Sequence, residues 1–195
     1  MSDKVKVAVL VSGGGTNLQA LIDKEKSGEL AESKIVRVIA SKDTAYALQR
    51  AADAGIETSV AKTQEEVLRQ LEECGAELVV LAGYMSVLAP EVIEKFRNRI
   101  INIHPSLIPK YCGKGFYGMR VHRAVIEAGE KESGATVHFV DEGVDTGKII
   151  LQETVPVMEG DSPEDLAARV LETEHRILAE GLNKVVLRYK QGGIK

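Results

Sequence analysis

An amide and an imidazole lie two residues apart at Asn102 and His104. Residues 100–103 form a short apolar run that predicts a buried strand, and Pro105 and Pro109 prevent it from continuing. Because side chains alternate along a strand, both polar groups should point to the same face. An amide can hydrogen-bond a developing oxyanion, and an imidazole can move a proton near pH 7. The spacing fits a catalytic pair, and it also fits a polar strand end with a satisfied histidine.

A glycine-rich turn, Ser12–Asn17, follows the first predicted strand. Three successive glycines permit a tight turn and leave backbone N–H groups at a helix N-terminus, where anions bind. Leu18 replaces the third glycine of a dinucleotide fingerprint, and no Gly-Lys-Ser/Thr follows as in a Walker A loop. The functional interpretation is therefore one phosphate monoester held by backbone amides, beside the Thr16 hydroxyl and the Asn17 amide. The alternative is a turn that binds nothing.

Three carboxylates and two glycines occur within the seven residues of the late segment Asp141–Gly147. Its two glycines predict a loop with unusual backbone angles. One interpretation places an acid against His104, where the negative charge would raise the pKa of the imidazole. The other is a turn whose acids face water.

The remaining reactive residues give weaker signals. His138, on a predicted strand, is interpreted as a support for the catalytic side chains, whereas His122 and His175 fall on predicted helices and suggest structural or surface roles. The scattered histidines have no metal-ligand spacing. Cys112 lacks a cysteine-enzyme signature. Asp43 follows the second strand, where an acid can bind ribose, but its polar loop favours a solvated turn.

The predicted elements that must position these residues alternate between strand and helix. Strands are predicted at 5–11, 35–40, 57–60, 78–82 and 100–103, and helices at 18–26, 46–54, 63–75 and 90–96. This alternation predicts an α/β fold with a doubly wound, mostly parallel, Rossmann-like sheet. After a helix at 121–128, strands at 135–140 and 148–157 without a helix between them predict a late antiparallel pair. A long C-terminal helix should run from Pro163 to about Tyr189.

Composition narrows the class of protein further. The 195 residues contain no linker or repeat, which predicts a single domain, 1–195. The net charge of −4 and the lack of a basic tract argue against a nucleic-acid partner. Two cysteines make no disulfide framework, and we find neither a signal peptide nor an apolar run of membrane-spanning length. We therefore expect a cytoplasmic protein without membrane contact.

Four motifs together resemble the phosphoribosylglycinamide formyltransferases, folate-dependent enzymes of purine synthesis. They lie at 12–17, 81–85, 102–109 and 138–147, and the resemblance runs over essentially the whole chain. It implies formyl transfer from the co-substrate 10-formyltetrahydrofolate to the amine of glycinamide ribonucleotide, without a metal. It also implies a phosphate-binding half, about 1–100, a folate-binding and catalytic half, about 80–195, and a monomer or homodimer.

The resemblance assigns roles to individual residues. The catalytic residues would be Asn102, His104 and Asp145. The ribonucleotide phosphate and ribose would contact Gly13, Gly14, Gly15, Thr16, Asn17 and Glu174. The folate would contact Lys62, Tyr84, Met85, Ser86, Val87, Leu88, Asn102, Val140, Asp141, Glu142 and Asp145.

Three other functions use part of the same pattern. A formyltetrahydrofolate hydrolase has similar catalytic residues, but the resembling enzymes carry a regulatory domain and need no phosphate loop. A formyltransferase for initiator tRNA needs a further C-terminal domain and a basic face. A Rossmann-type nucleotide sensor would use the glycine turn and leave Asn102, His104 and Asp145 without a task.

Overall fold

The computed structural model describes residues 4–194 as alternating strands and helices. In chain order these are β1 (Val5–Val11), α1 (Thr16–Ser27), β2 (Ser33–Ala40), α2 (Ala47–Asp53), β3 (Glu57–Val60), α3 (Gln64–Glu73), β4 (Leu78–Leu81), α4 (Pro90–Lys95), β5 (Ile100–His104), α5 (Met119–Glu127), β6 (Glu132–Phe139), β7 (Ile149–Pro156) and α6 (Pro163–Lys190). The strands form one sheet of order β3-β2-β1-β4-β5-β6-β7. Strands β1 to β5 are parallel, and β6 pairs antiparallel with both β5 and β7. The predicted fold class is confirmed.

Both faces of the sheet are buried, which explains why its central strands are apolar almost without interruption. On β1, Val7 and Val9 pack into a core shared with α1, α2, α5 and α6. Ala8 and Leu10 point the other way, into a core shared with α3 and α4. Since alternate residues serve opposite cores, one strand stabilises both helical layers.

Helix boundaries follow local capping chemistry. The predicted capping box at Thr63 is present: its hydroxyl accepts from the Glu66 N–H at 3.2 Å, and the Glu66 carboxylate accepts from the Thr63 N–H at 3.2 Å. Helix α1 begins at Thr16, two residues before its predicted start, because Gly15 takes a left-handed conformation with φ +72° and caps it. Strand β6 begins at Glu132 rather than residue 135, because it continues to pair with β7 as far as Pro156.

The sheet order creates a crevice between β1 and β4. The chain proceeds outward from β1 through β2 to β3 and then returns to place β4 on the other side of β1. Ligands of doubly wound folds bind at such a reversal, outside the carboxyl ends of the strands. Ser12, just after β1, bridges it by accepting from the Met85 N–H at 2.9 Å. Throughout residues 4–194, every helix is too short or too polar to cross a membrane.

Candidate active site

A cavity of about 600 Å³ opens at this edge of the sheet. Its size lies within the range of small-molecule sites. The predicted site residues on its wall are Asn17, Tyr84, Met85, Ser86, Val87, Leu88, Asn102, His104, His138, Val140, Asp141, Asp145 and Glu174. The strand ends and loops of the fold therefore bring most of the predicted residues to one place.

His104 is held in a defined tautomer at the end of β5. Its side chain is almost completely buried, and Nε2 lies 2.9 Å from the backbone carbonyl oxygen of Tyr111. Because a carbonyl oxygen can only accept, the proton of the neutral imidazole is on Nε2. Nδ1 therefore carries a lone pair, and it lies 3.6 Å from Oδ2 of Asp145. These two acceptors are close enough for one N–H or O–H group between them to interact with both.

Burial decides the protonation of His104. Removal from water lowers the pKa of the imidazole, and this outweighs the Tyr111 hydrogen bond and the Asp145 charge, which both raise it. Asp145 raises the pKa of His104, as expected of an acid from the 141–147 loop, but the loss of hydration has the larger effect and lowers it. His104 is neutral at pH 7.

Asp145 stays ionised although it is largely buried. Its backbone has φ +58°, a region that aspartate tolerates better than most residues. Burial alone would raise the pKa of the carboxyl group, but the His138 and His104 imidazoles and the N–H of Gly113 outweigh burial and lower it. The Gly113 N–H donates to Oδ2 at 2.9 Å. The site thus holds a carboxylate beside a neutral imidazole.

His138 contacts Asn102 across the antiparallel β5–β6 pair. Nδ1 of His138 lies 2.8 Å from its neighbour's carbonyl, that of Phe139, so this nitrogen carries the proton. Nε2 then accepts from the Asn102 amide, with a nitrogen–nitrogen distance of 3.2 Å. This contact fixes which way the amide faces, and it leaves one N–H of Asn102 for the cavity.

The glycine turn lies beside the cavity rather than in its wall. Gly13 and Gly14 are exposed, and their carbonyls accept from Ala47 N–H at 3.1 Å and from Arg50 Nε at 2.7 Å. Of the predicted phosphate residues, Asn17 belongs to the cavity wall, whereas Gly13, Gly14, Gly15 and Thr16 do not. Among residues 4–194 no side chain caps the start of α1. Its first N–H groups therefore suit an anion at the cavity edge.

Asn17 and Glu174 form a buried polar pair at the junction of the turn and the cavity. The Asn17 amide donates to Oε2 of Glu174 at 3.0 Å, and Glu174 is only 7% exposed. Burial raises the pKa of Glu174 to about 7, with the Asn17 hydrogen bond opposing it. Within the described chain, Oδ1 of Asn17 is buried without a partner. This pair has unused capacity for polar groups of a ligand.

Two predicted folate contacts are not in the cavity wall. Lys62 is exposed, and its backbone N–H donates to the carboxylate of Glu66 at 2.6 Å, in the approach to α3. Glu142 is also exposed and forms an ion pair of 2.7 Å with Arg97. The structure does not bring either residue to the cavity wall with the other site residues.

His122, interpreted from the sequence as structural or on the surface, is not on the surface. It is 5% exposed, lies in the cavity wall, and has an Nδ1 without a hydrogen-bond partner among residues 4–194. Burial, assisted by nearby His104, lowers its pKa to about 4. A signal was available, since Met119 and His122 are three residues apart and share a helix face, and both contact the cavity.

Sequence comparison defines the class to which this fold and site belong. Residues 5–182 match the family described as formyl transferase. Since the match covers most of the chain, the protein belongs to the formyl transferase family.

Individual relatives are similar over most of this chain. The trifunctional purine biosynthetic protein adenosine-3 of Drosophila melanogaster is 43% identical over 191 residues, which is 93% of this chain and 14% of the relative. The phosphoribosylglycinamide formyltransferase of Haemophilus influenzae is 43% identical over 181 residues, covering 88% of this chain and 82% of the relative. The chain therefore spans only a small part of the trifunctional relative and most of the bacterial one.

Solved structures share the fold at similar coverage. Glycinamide ribonucleotide transformylase 1 from Symbiobacterium toebii superposes with a TM-score of 0.86 at 40% identity, over 93% of this chain and 87% of that one. A formyltetrahydrofolate deformylase from Pseudomonas syringae superposes with a TM-score of 0.82 at 28% identity, over 93% of this chain and 61% of that one.

Proposed function

We propose that this protein transfers the formyl group of 10-formyltetrahydrofolate to the amine of 5-phosphoribosylglycinamide in purine synthesis. The products are formylglycinamide ribonucleotide and tetrahydrofolate. The observation that carries the proposal is the convergence of Asn102, His104 and Asp145 in one cavity, beside the Asn17–Glu174 pair and the start of α1. The chain would act as one domain, with the ribonucleotide towards its first half and the folate towards its second.

The size and the lining of the cavity support this choice of substrates. Residues 84–88 and Val140 offer an apolar wall for an aromatic ring system, and Met85 and Val87 are more than half exposed at its mouth. Glu174 and Asn17 can bond ribose hydroxyls, and the N–H groups at the start of α1 can hold the phosphate. The folate supplies the formyl group as a carbon bonded to nitrogen.

The reaction exchanges one carbon–nitrogen bond for another. A bond forms between the substrate amine and the formyl carbon, the bond from that carbon to the folate nitrogen breaks, and one proton moves from the first nitrogen to the second. The free N–H of Asn102 donates to the formyl oxygen as negative charge develops there, an interaction that can contribute about 3–4 kcal/mol. Holding the two nitrogens on either side of one carbon supplies much of the remaining acceleration.

His104 and Asp145 handle the proton. The lowered pKa of His104 leaves Nδ1 free to accept it from the attacking amine, and the ionised Asp145 stabilises the imidazolium that results. His104 can then donate the proton to the departing nitrogen. Proton transfer by a positioned group contributes about 10²–10⁴-fold.

The alternative function is hydrolysis of formyltetrahydrofolate, for which the deformylase neighbour is the observation in favour. Tetrahydrofolate release should be measured with and without the ribonucleotide. We expect release only when the ribonucleotide is present, in equal amount to formylated product. Release at the same rate without it would overturn formyl transfer in favour of hydrolysis.

A further inference from the structure

We propose that Tyr111 and Glu130 are positioning residues for His104, and that the segment Tyr111–Gly113 clasps both proton-handling groups. The proposal rests on the function proposed above for its catalytic consequence. Its structural part, the control of the His104 tautomer, does not depend on that function.

The clasp touches both groups through its backbone. The Tyr111 carbonyl lies 2.9 Å from Nε2 of His104, and the Gly113 N–H lies 2.9 Å from Oδ2 of Asp145. A single residue, Cys112, therefore separates the acceptor that fixes the imidazole tautomer from the donor that holds the carboxylate. A shift of this segment would move both groups at once.

Tyr111 is held in a conformation that its residue type disfavours. Its φ of +51° lies in the left-handed region, which is unfavourable for a non-glycine residue and persists only when the surroundings impose it. Its carbonyl can point at His104 only while this conformation persists. The contacts of the Tyr111 side chain must therefore hold the backbone in place.

Three contacts supply that restraint. The Tyr111 hydroxyl donates to Oε1 of Glu130 at 3.1 Å. Its ring meets the Phe116 ring edge to face, with centroids 5.9 Å apart and planes at 75°. The rest of the side chain packs against the main core. Of these, the hydroxyl–carboxylate contact is directional and sets the rotation of the tyrosine, so Glu130 acts on His104 through Tyr111.

Lys110 provides a matched control. It forms an ion pair of 2.9 Å with the same Glu130 carboxylate, but its side chain is 65% exposed. Exposed ion pairs contribute little because water competes for both charges. Loss of Lys110 should therefore change the surface and leave the clasp intact.

The first experiment reads the His104 tautomer in the free protein by long-range proton–nitrogen NMR, with His104→Ala to assign the signal. We expect Nε2–H in the unmodified protein and in Lys110→Gln. In Tyr111→Phe and Glu130→Ala we expect a mixture of tautomers. Glu130→Gln keeps an acceptor for the phenol and should restore the original spectrum. An unchanged spectrum in Tyr111→Phe and Glu130→Ala would overturn the proposal, whatever reaction the protein catalyses.

The second experiment measures formyl transfer in the same variants against pH. We expect Tyr111→Phe and Glu130→Ala to lower kcat about tenfold while KM for both substrates stays nearly constant, since positioning acts on the reacting groups. The groups that face His104 are Asp145, His138, His122 and the Tyr111 carbonyl. If the carbonyl moves away from Nε2, the pKa of His104 should change, and the acid limb of the kcat profile should shift with it. Equal loss in Lys110→Gln, or a change in KM alone, would contradict a positioning role.

Discussion

His104 and Asp145 are both unprotonated at neutral pH, for different physical reasons. Burial dominates for the imidazole and lowers its pKa, whereas hydrogen bonds and neighbouring imidazoles dominate for the carboxylate. Nδ1 of His104 and Oδ2 of Asp145 are two acceptors 3.6 Å apart, and no donor from residues 4–194 lies between them. This arrangement does not stabilise the fold, but it can receive a proton. The pair is thus better explained by chemistry than by folding.

Removing either group should abolish most turnover. We expect His104→Ala and Asp145→Asn each to reduce kcat by about 10²–10⁴-fold, because the first deletes the proton acceptor and the second deletes the charge that stabilises the imidazolium. Asparagine is the better replacement for Asp145 because it also tolerates a positive φ. Circular dichroism melting should remain close to that of the unmodified protein. Glu153→Gln, at an exposed ion pair, is the control, and near-normal kcat in either site variant would contradict the assignment.

Glu174→Gln should stabilise the free protein at high pH. The pKa of Glu174 is raised to about 7, so folding favours its protonated form, and stability falls as pH rises through that value. Glutamine is never charged and can still accept from Asn17. The free energy of unfolding should be measured with denaturant at pH 5 and pH 8. The difference between the variant and the unmodified protein should shift by about 2 kcal/mol in favour of the variant from pH 5 to pH 8. A constant difference across this interval would mean that Glu174 is ionised throughout. The ribonucleotide should bind the variant more weakly.

The turn between β1 and α1 depends on one glycine more than on its neighbours. Gly15 has φ +72°, and a Cβ added there would lie 2.6 Å from Cβ of Ala47. Gly13 has an ordinary φ and open space around it. The turn and α2 are therefore packed together at Gly15.

Gly15→Ala should destabilise the fold, and Gly13→Ala should not. We expect a loss of about 1–3 kcal/mol in the free energy of unfolding for the first, from strain and overlap, and less than about 0.5 kcal/mol for the second. Urea unfolding monitored by circular dichroism measures both. Equal stability of the two variants would show that the turn adapts. A loss of ribonucleotide affinity in Gly15→Ala beyond its loss of stability would support phosphate binding at this turn.

The positions of several strands and helices could be predicted from the sequence. The β1 and β3 bounds, the Thr63 capping box and the alternation of strands and helices followed from apolar patterning and from capping residues, which are local properties. The starts of α1 and β6 were missed because they depend on the backbone angle of Gly15 and on pairing with β7. Local patterns cannot report either.

At the scale of the whole molecule, the crevice lies between β1 and β4, where the strand order reverses, and a helical layer packs on each face of the sheet there. Both cores include residues of β1 and β4, the strands that flank the crevice. A ligand that bridges the first turn and the loops after β4 and β5 should therefore stabilise the entire sheet. The proposed substrates and a dinucleotide can therefore be distinguished by which of them stabilises the fold.

Ligand-dependent melting tests this distinction. The ribonucleotide at a hundred times its Kd should add about 2.7 kcal/mol to the free energy of unfolding, and a non-reactive folate analogue should add a further increment. NAD and NADP should have no effect, because Leu18 replaces the glycine that a dinucleotide requires. Stabilisation by NAD without stabilisation by the ribonucleotide would favour a nucleotide sensor.

Apolar periodicity, turn chemistry and the Asn102–His104 spacing were enough to specify a doubly wound sheet with a polar pair at a strand end, since each rests on neighbours in the chain. The distance from Asp145 to His104, the entry of His122 into the cavity and the outward orientation of Glu142 required the folded chain. So did the sign of the His104 pKa shift. Burial is a sum over residues that are remote in sequence, so no short segment contains the information that sets it.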